Sequence, residues 1–215
     1  ASAGSGGGDV PVGVSAGGHG YAASGVRFEL VSLVVRGLLP FSGPTLGGTV
    51  VTIAGARLSQ LESMRCTFGA STASSSAFSE SFASLASSSS SVASSHGSDG
   101  VRCLSPSALP TGWSSVELSS HGAPLRSGGS FYVHGALHVS ALVPPSGPVA
   151  GGTRVSVLGP SSSGFRDSAT MRCRFESSGA TAAARVVGPG MAECAAPASS
   201  SSGPRRVEVS MNGQQ

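Results

Sequence analysis

Two serine- or glycine-centred motifs, four cysteines and a few scattered histidines are the residues of this 215-residue chain whose types and spacing could do chemistry. Gly13-Val14-Ser15-Ala16-Gly17 spells G-x-S-x-G, the pattern that presents a nucleophilic serine on a strained strand–turn–helix. Acyl transfer at such a serine also needs a histidine and an acid brought to it. Ser15 aligns with Ser119 and Ser210 at a strand end with no helix after it, so the motif reads as coincidence in a Gly- and Ser-rich chain. Gly43 to Thr49 and Gly147 to Thr153 read G-x-x-x-x-G-T. A phosphate loop has a lysine before the hydroxyl residue to contact the phosphates. This chain has no lysine, and its 13 basic residues are all arginine. His19 and His121 precede equivalent turns and read as solvated. Asp9, Asp99 and Asp167 are scattered, and no carboxylate pair stands out for acid–base work. Trp113, after Thr111-Gly112, reads as a packing residue rather than a sugar platform. The expectation is a chain without catalytic, cofactor or metal residues and without enzymatic activity of its own.

The cysteines point elsewhere. Met64-Arg65-Cys66-Thr67-Phe68 recurs as Met171-Arg172-Cys173-Arg174-Phe175, and Cys103-Leu104-Ser105-Pro106 is answered by Cys194-Ala195-Ala196-Pro197. Pro40 to Thr49, with Ser42-Gly43-Pro44 and Gly47-Gly48, recurs as Pro144 to Thr153, with Ser146-Gly147-Pro148 and Gly151-Gly152. Val116-Glu117-Leu118-Ser119 is answered by Val207-Glu208-Val209-Ser210. Four blocks in the same order are an internal repeat of roughly 100 residues. Two cysteines per repeat at homologous positions read as disulfides Cys66–Cys103 and Cys173–Cys194, with buried free thiols as the alternative. Zinc is disfavoured, because there is no C-x-x-C and no histidine at ligand spacing. Paired cysteines imply an oxidising compartment.

These residues must be held by short strands and turns. Val51 and Ile53 alternate with Val50 and Thr52, and Val155 and Val157 with Arg154 and Ser156. A period of two with one polar side is a half-buried strand. In the Ser-Gly-Pro-x-x-Gly-Gly block, Pro44 and Pro148 fix φ at one corner. The glycines Gly43, Gly47, Gly48, Gly147, Gly151 and Gly152 suit the reversal. No sustained helical stripe exists; Phe78, Phe82 and Leu85 have helical spacing but sit among serines. The fold class expected is all-β: tandem antiparallel immunoglobulin-like β-sandwiches.

The cysteines of the first full repeat stand farther apart than those of the second. The extra residues lie between Ala70 and Asp99, a Ser/Ala stretch with little to bury and so expected to be a mobile loop. Its hydroxyls are candidate carriers of O-linked sugars; an unmodified insertion is the alternative, and no Asn-x-Ser/Thr sequon exists. At the N-terminus, Val12 to Ser15 matches Val116 to Ser119 and Gly25 to Phe28 matches Gly128 to Phe131. The chain therefore reads as a window on an array: 1–34 the last strands of a preceding repeat, 35–134 a complete repeat with its insertion at about 70–99, and 135–215 a repeat without the strand that Phe131-Tyr132-Val133 supplies to the first.

The blocks resemble the IPT/TIG domain, an immunoglobulin-like fold of plexins, growth-factor-type receptors, fibrocystin-like proteins and some transcription factors. The resemblance rests on the P-x-S-G-P-x-x-G-G-T start, the C-x-F strand, the C-x-x-P strand and the closing F-Y-V strand, and it covers nearly the whole chain. The cysteine pairs resemble the extracellular branch; nothing resembles the DNA-binding region beside the transcription-factor branch. Departures are the serine insertion and Met191-Ala192-Glu193, where an apolar strand is expected.

Net charge is +3 with no basic block, so no nucleic-acid partner is indicated. The longest apolar stretch, Phe28 to Phe41, is broken by Glu29 and Arg36, short of a membrane span. The start shows neither the charged nor the apolar region of a signal peptide, as expected if one has been removed or the segment is internal. The function implied is a non-enzymatic structural or adhesion array in a cell-surface, matrix or ciliary-surface glycoprotein. Its partners would be other domains of the same chain and proteins of an assembly. The arginine-only, Ala/Gly/Ser-rich composition fits a GC-rich genome such as a green alga's. The alternatives are a ligand-binding receptor ectodomain, an accessory carbohydrate-binding domain of a secreted glycoside hydrolase, and an intracellular transcription-factor module.

Overall fold

The computed structural model describes residues 8–18, 20–31, 33–58, 63–70, 89–92, 94–95, 100–160, 164–166, 168–176 and 180–215. Among them the regular elements are strands, and there is no α-helix. Strands β1 (Gly8–Val14) and β2 (Ala22–Leu30) form an antiparallel hairpin that is a two-stranded sheet by itself.

The first sandwich follows: β3 (Val34–Leu39), β4 (Ser42–Pro44), β5 (Val50–Ala56), β6 (Met64–Ala70), β7 (Ser89–Val92), β8 (Ser94–Ser95), β9 (Gly100–Leu104), β10 (Gly112–Ser120) and β11 (Ala123–His134). One sheet has the order β4-β11-β10-β6-β7, the other β3-β5-β9-β8. All pairings are antiparallel except β4 with β11. The alternation in β5 has its expected consequence: Val51 and Ile53 point inward and are fully buried, while Val50 is exposed. They meet Cys66 and Phe68 of β6, Val101 and Cys103 of β9, Val116 and Leu118 of β10, and Phe131 and Val133 of β11. Phe68 and Phe131 pack edge to face, with ring centroids 5.5 Å apart.

The second sandwich comprises β12 (Ala141–Val143), β13 (Arg154–Leu158), β14 (Arg172–Phe175), β15 (Thr181–Gly188), β16 (Met191–Ala195) and β17 (Val207–Ser210), paired in the order β12-β13-β16-β15-β14-β17. Its core is smaller: Val157, Met171, Cys173, Phe175, Ala184, Ala192 and Cys194. The Met191-Ala192-Glu193 departure is accommodated by alternation. Ala192 and Cys194 face inward, and Glu193 turns out to meet Arg154 at 3.2 Å and Arg185 at 3.3 Å.

One expectation needs correction. The stretch 70–99 is not loop throughout: Ser89–Val92 pairs with β6 and Ser94–Ser95 with β9. In the second sandwich β15 does the same, pairing first with β14 and then with β16 as it passes from one face to the other. The reason is that ladder hydrogen bonds run between backbone groups and do not need apolar side chains. The helical spacing of Phe78, Phe82 and Leu85 lies outside the described residues.

Candidate functional site

The Gly-Gly turns are docking points for the Cys-x-x-Pro strands. Gly47 N–H donates to Pro44 O at 2.9 Å, closing the turn, and Gly48 N–H donates to Ser105 O at 2.8 Å. The second repeat does the same: Gly151 N–H donates to Pro148 O at 3.0 Å and Gly152 N–H to Ala196 O at 2.8 Å. Gly47 and Gly151 have φ of 72° and 77°, and a Cβ on either would lie 2.5 Å from the backbone of Pro106 or Ala198. Both left-handed conformation and close approach therefore require glycine. Gly43 and Gly147 lie against the side chains of Thr49 and Thr153, where a Cβ would collide.

The structure pairs Cys66 with Cys103 and Cys173 with Cys194, with Cα atoms 6.3 and 6.4 Å apart. The first bond joins β6 of one sheet to β9 of the other. The second joins β14 to β16, on either side of the crossing strand β15. All four sulfurs are buried in the cores.

Ser15 follows β1 directly and the chain turns back into strand β2, so the strand–turn–helix of a nucleophile elbow is not formed. Asp9 lies 3.9 Å from Arg27 in an exposed pair, and His121 is exposed in its turn. His19, Asp99 and Asp167 lie outside the described residues. Among the described residues no group of three or more His, Cys, Asp or Glu could hold a metal, and no helix is long and apolar enough to cross a membrane.

The residues with the most specific geometry lie where the two sandwiches meet. At the tip after β17, Asn212 Oδ1 accepts from Gln214 N–H and Gln215 N–H at 2.9 and 3.0 Å, folding the chain into a tight turn at Gly213 with φ 73°. That turn aims three side-chain amides at the first sandwich. Asn212 Nδ2 donates to Thr49 Oγ1 at 3.1 Å, and Thr49 Oγ1 donates to Gln215 Oε1 at 2.9 Å. Gln214 reads the Val50 backbone as a neighbouring strand would: its Oε1 accepts from Val50 N–H at 2.8 Å and its Nε2 donates to Val50 O at 3.0 Å. Thr49 and Asn212 are buried.

A second contact flanks the first. Trp113 and Tyr132 are cross-strand partners on β10 and β11, with ring centroids 5.3 Å apart. Arg166 of the second sandwich places its guanidinium 4.0 Å from the Tyr132 ring centroid and 5.9 Å from that of Trp113. Trp113 is thus a packing residue, but of this joint and not of a core: half of it remains exposed. The sequence reading missed Arg166, Asn212, Gln214 and Gln215, which carry no periodic or motif signal.

Beside the joint, His134 is buried at the end of β11. Its Nδ1–H donates to Gly135 O at 2.8 Å, and its Nε2 has no partner. Burial pushes its pKa below the ordinary 6.5, against a smaller opposing effect of the Gly135 hydrogen bond.

An IPT/TIG domain family model matches residues 33–133 and again 137–215. No curated protein matches the chain. Among solved structures, one of the plexin A4 extracellular region spanning domains 1 to 10 is similar at 20% identity over 83% of this chain, with a TM-score of 0.51. A second plexin A4 extracellular structure, domains 1 to 8, is similar at 19% identity over 93% of this chain, with a TM-score of 0.48. This chain spans only 14% and 19% of the length of those two chains.

Proposed function

The chain belongs to the IPT/TIG domain family, and on that premise we propose that it is a non-enzymatic structural or adhesion segment of a larger extracellular or cell-surface array. In this reading 1–34 supplies the last strands of a preceding repeat, 35–134 is one complete repeat, and 135–215 is a repeat without its last strand. The partners are neighbouring repeats and proteins of an assembly, and the protein is a surface or matrix glycoprotein whose Ser-rich stretch carries O-linked sugars. Two buried disulfides support an oxidising location.

The observation that carries the proposal is the joint. Two sandwiches tethered only by their linker would move independently, the usual state of domains with small interfaces. Here Asn212, Gln214 and Gln215 reach Thr49 and Val50, and Arg166 sits on Tyr132. Each hydrogen bond contributes about 1 kcal/mol net, and the cation–aromatic contact about as much. A joint of that strength holds one relative orientation, which suits a spacer or display rod and does nothing for catalysis.

The experiment is a distance measurement between spin labels on exposed Leu104 of the first sandwich and exposed Val187 of the second. A single narrow distribution is expected, broadening when Arg166→Ala and Gln214→Ala are combined. A broad distribution in the unaltered chain would refute the rigid spacer.

A further inference from the structure

Asn212 is the only asparagine of the chain, and a glycine follows it. That dipeptide has a chemistry of its own. The backbone nitrogen of the following residue can give up its proton and attack the side-chain carbonyl carbon of the asparagine. Glycine, with no Cβ, shields that nitrogen least and lets the chain turn most freely toward the attack. The new carbon–nitrogen bond closes a cyclic imide, and the side-chain nitrogen leaves as ammonia. Water then opens the ring at one of its two carbonyls, giving aspartate or isoaspartate.

In the closed joint every group of this reaction is held in place. Asn212 is buried, and its Oδ1 accepts from Gln214 N–H, Gln215 N–H and the Ser210 hydroxyl at 2.9, 3.0 and 2.9 Å. Its Nδ2 donates to Thr49 Oγ1 at 3.1 Å and to Gln215 Oε1 at 2.7 Å. The nitrogen that would attack is committed too, since Gly213 N–H donates to Ser210 Oγ at 2.8 Å. Closing the imide requires the carboxamide to leave these partners and turn its carbon toward Gly213. One of the bonds that must break, from Nδ2 to Thr49, crosses to the first sandwich.

We infer that Asn212-Gly213 is a deamidation site guarded by the joint, and that its conversion to an acid opens the joint irreversibly. The inference rests on the reading of the joint as a rigid connection, and adds a covalent modification that ends it. In the aspartate product the oxygen in place of Oδ1 keeps its three donors, so the turn at the tip survives. The oxygen in place of Nδ2 faces Thr49 Oγ1 and Gln215 Oε1, where a donor stood before. The Thr49 hydroxyl has one proton to give, and it now goes to Gln215 Oε1. Turning it to the new carboxylate leaves Gln215 Oε1 without that donor. None of these partners is cationic, so the charge is buried without a counter-ion, and opening the joint lets water reach it. The isoaspartate product adds a carbon to the main chain before Gly213 and shifts the Gln214 and Gln215 amides away from Val50 and Thr49.

The test incubates the whole chain at mildly alkaline pH and digests samples with trypsin, which cuts after Arg206 and frees residues 207–215. Fragmentation mass spectrometry reads the amide-to-acid change at Asn212, with the synthetic peptide of residues 207–215 as reference. Conversion is expected in both, at least about tenfold slower in the whole chain, because its hydrogen bonds must break first. Thr49→Val, outside the reacting segment, should speed conversion toward the peptide's rate; Thr49→Ser, which keeps the hydroxyl, should leave it slow. Equal rates in whole chain and peptide, or in the two Thr49 variants, would refute the guard. No conversion in Thr49→Val by the time the peptide is spent would refute the site. The consequence is read with spin labels on Leu104 and Val187, where Asn212→Asp should broaden a distribution that is narrow in the parent. If both are narrow, deamidation does not open the joint, and the rigid joint stands. If the parent is already broad, the rigid joint fails and the guard with it.

Discussion

At the residue scale, chemistry legible in the sequence was backbone chemistry. A glycine pair after Ser-Gly-Pro can be read as a reversal, and the structure gives the reason that it is glycine. Gly151 has both a left-handed φ and a neighbour 2.5 Å from where its Cβ would be; Gly152, φ 82°, has open space. Substituting Gly152→Ala therefore costs the left-handed penalty alone, about 1–2 kcal/mol. Gly151→Ala costs clearly more, because the Pro197–Ala198 backbone must also shift. Denaturant unfolding of the two variants tests the order, and equal losses would show that the Gly151 contact is relaxed at no cost. His134 was not legible at all, because nothing in its neighbours announces burial. Its lowered pKa has a direct consequence. Between its folded pKa and the unfolded value of 6.5 the unfolded chain binds the proton that the folded chain resists. Stability due to this residue is then intact above about pH 6.5 and falls as the pH is lowered through that window. Melting temperatures measured from about pH 7.5 down to about pH 5 should fall, and His134→Gln should flatten that part of the slope. An unchanged slope would mean that His134 does not titrate in this range.

At the scale of elements, strands that alternate were readable and strands that do not were missed. Val51 and Ile53 declare an inward face; Ser89–Val92 declares none, yet pairs with β6 along its length. The serine-rich stretch thus divides into a part defined by composition and a part defined by backbone pairing. Deleting residues 75–87 should leave the unfolding midpoint within a few degrees of the parent, since their composition buries too little to offset about 1–2 kcal/mol of ordering entropy per residue. Extending the deletion through Val92 removes the partner of β6 and should lower the midpoint by clearly more. If both deletions behave alike, the β6–β7 ladder contributes nothing to stability. The disulfides belong to this scale too, since each staples one element to another. Closing loops of 37 and 21 residues stabilises by roughly 4 and 3 kcal/mol in the chain-entropy picture. The Cys66→Ala/Cys103→Ala pair should therefore cost at least as much as Cys173→Ala/Cys194→Ala.

At the scale of the whole molecule, the repeat frame explains why the hairpin at the start is amphipathic. Its apolar face carries Val10, Val12, Val14, Phe28 and Leu30, all exposed, with Phe28 at 61%. Four of them have counterparts buried in the first sandwich: Val12 matches Val116, Val14 matches Leu118, Phe28 matches Phe131 and Leu30 matches Val133. The same pattern is thus a core where seven further strands cover it and, among the described residues, an exposed face on the two-stranded sheet. What the sequence could not disclose was the joint, because Asn212-Gly213-Gln214-Gln215 acquires its meaning only from Thr49 and Val50 in the other sandwich. Among the described residues the hairpin is a two-stranded sheet by itself, and two strands alone are at best marginally stable in water. Segment 35–134, which holds both sheets, its disulfide and β11, should fold cooperatively by itself with nearly the midpoint that the first sandwich has in the whole chain. Segment 1–34 should show no cooperative transition. A cooperative 1–34 would mean that its exposed face finds a partner within the hairpin, and the assignment of those strands to a preceding repeat would fall with it.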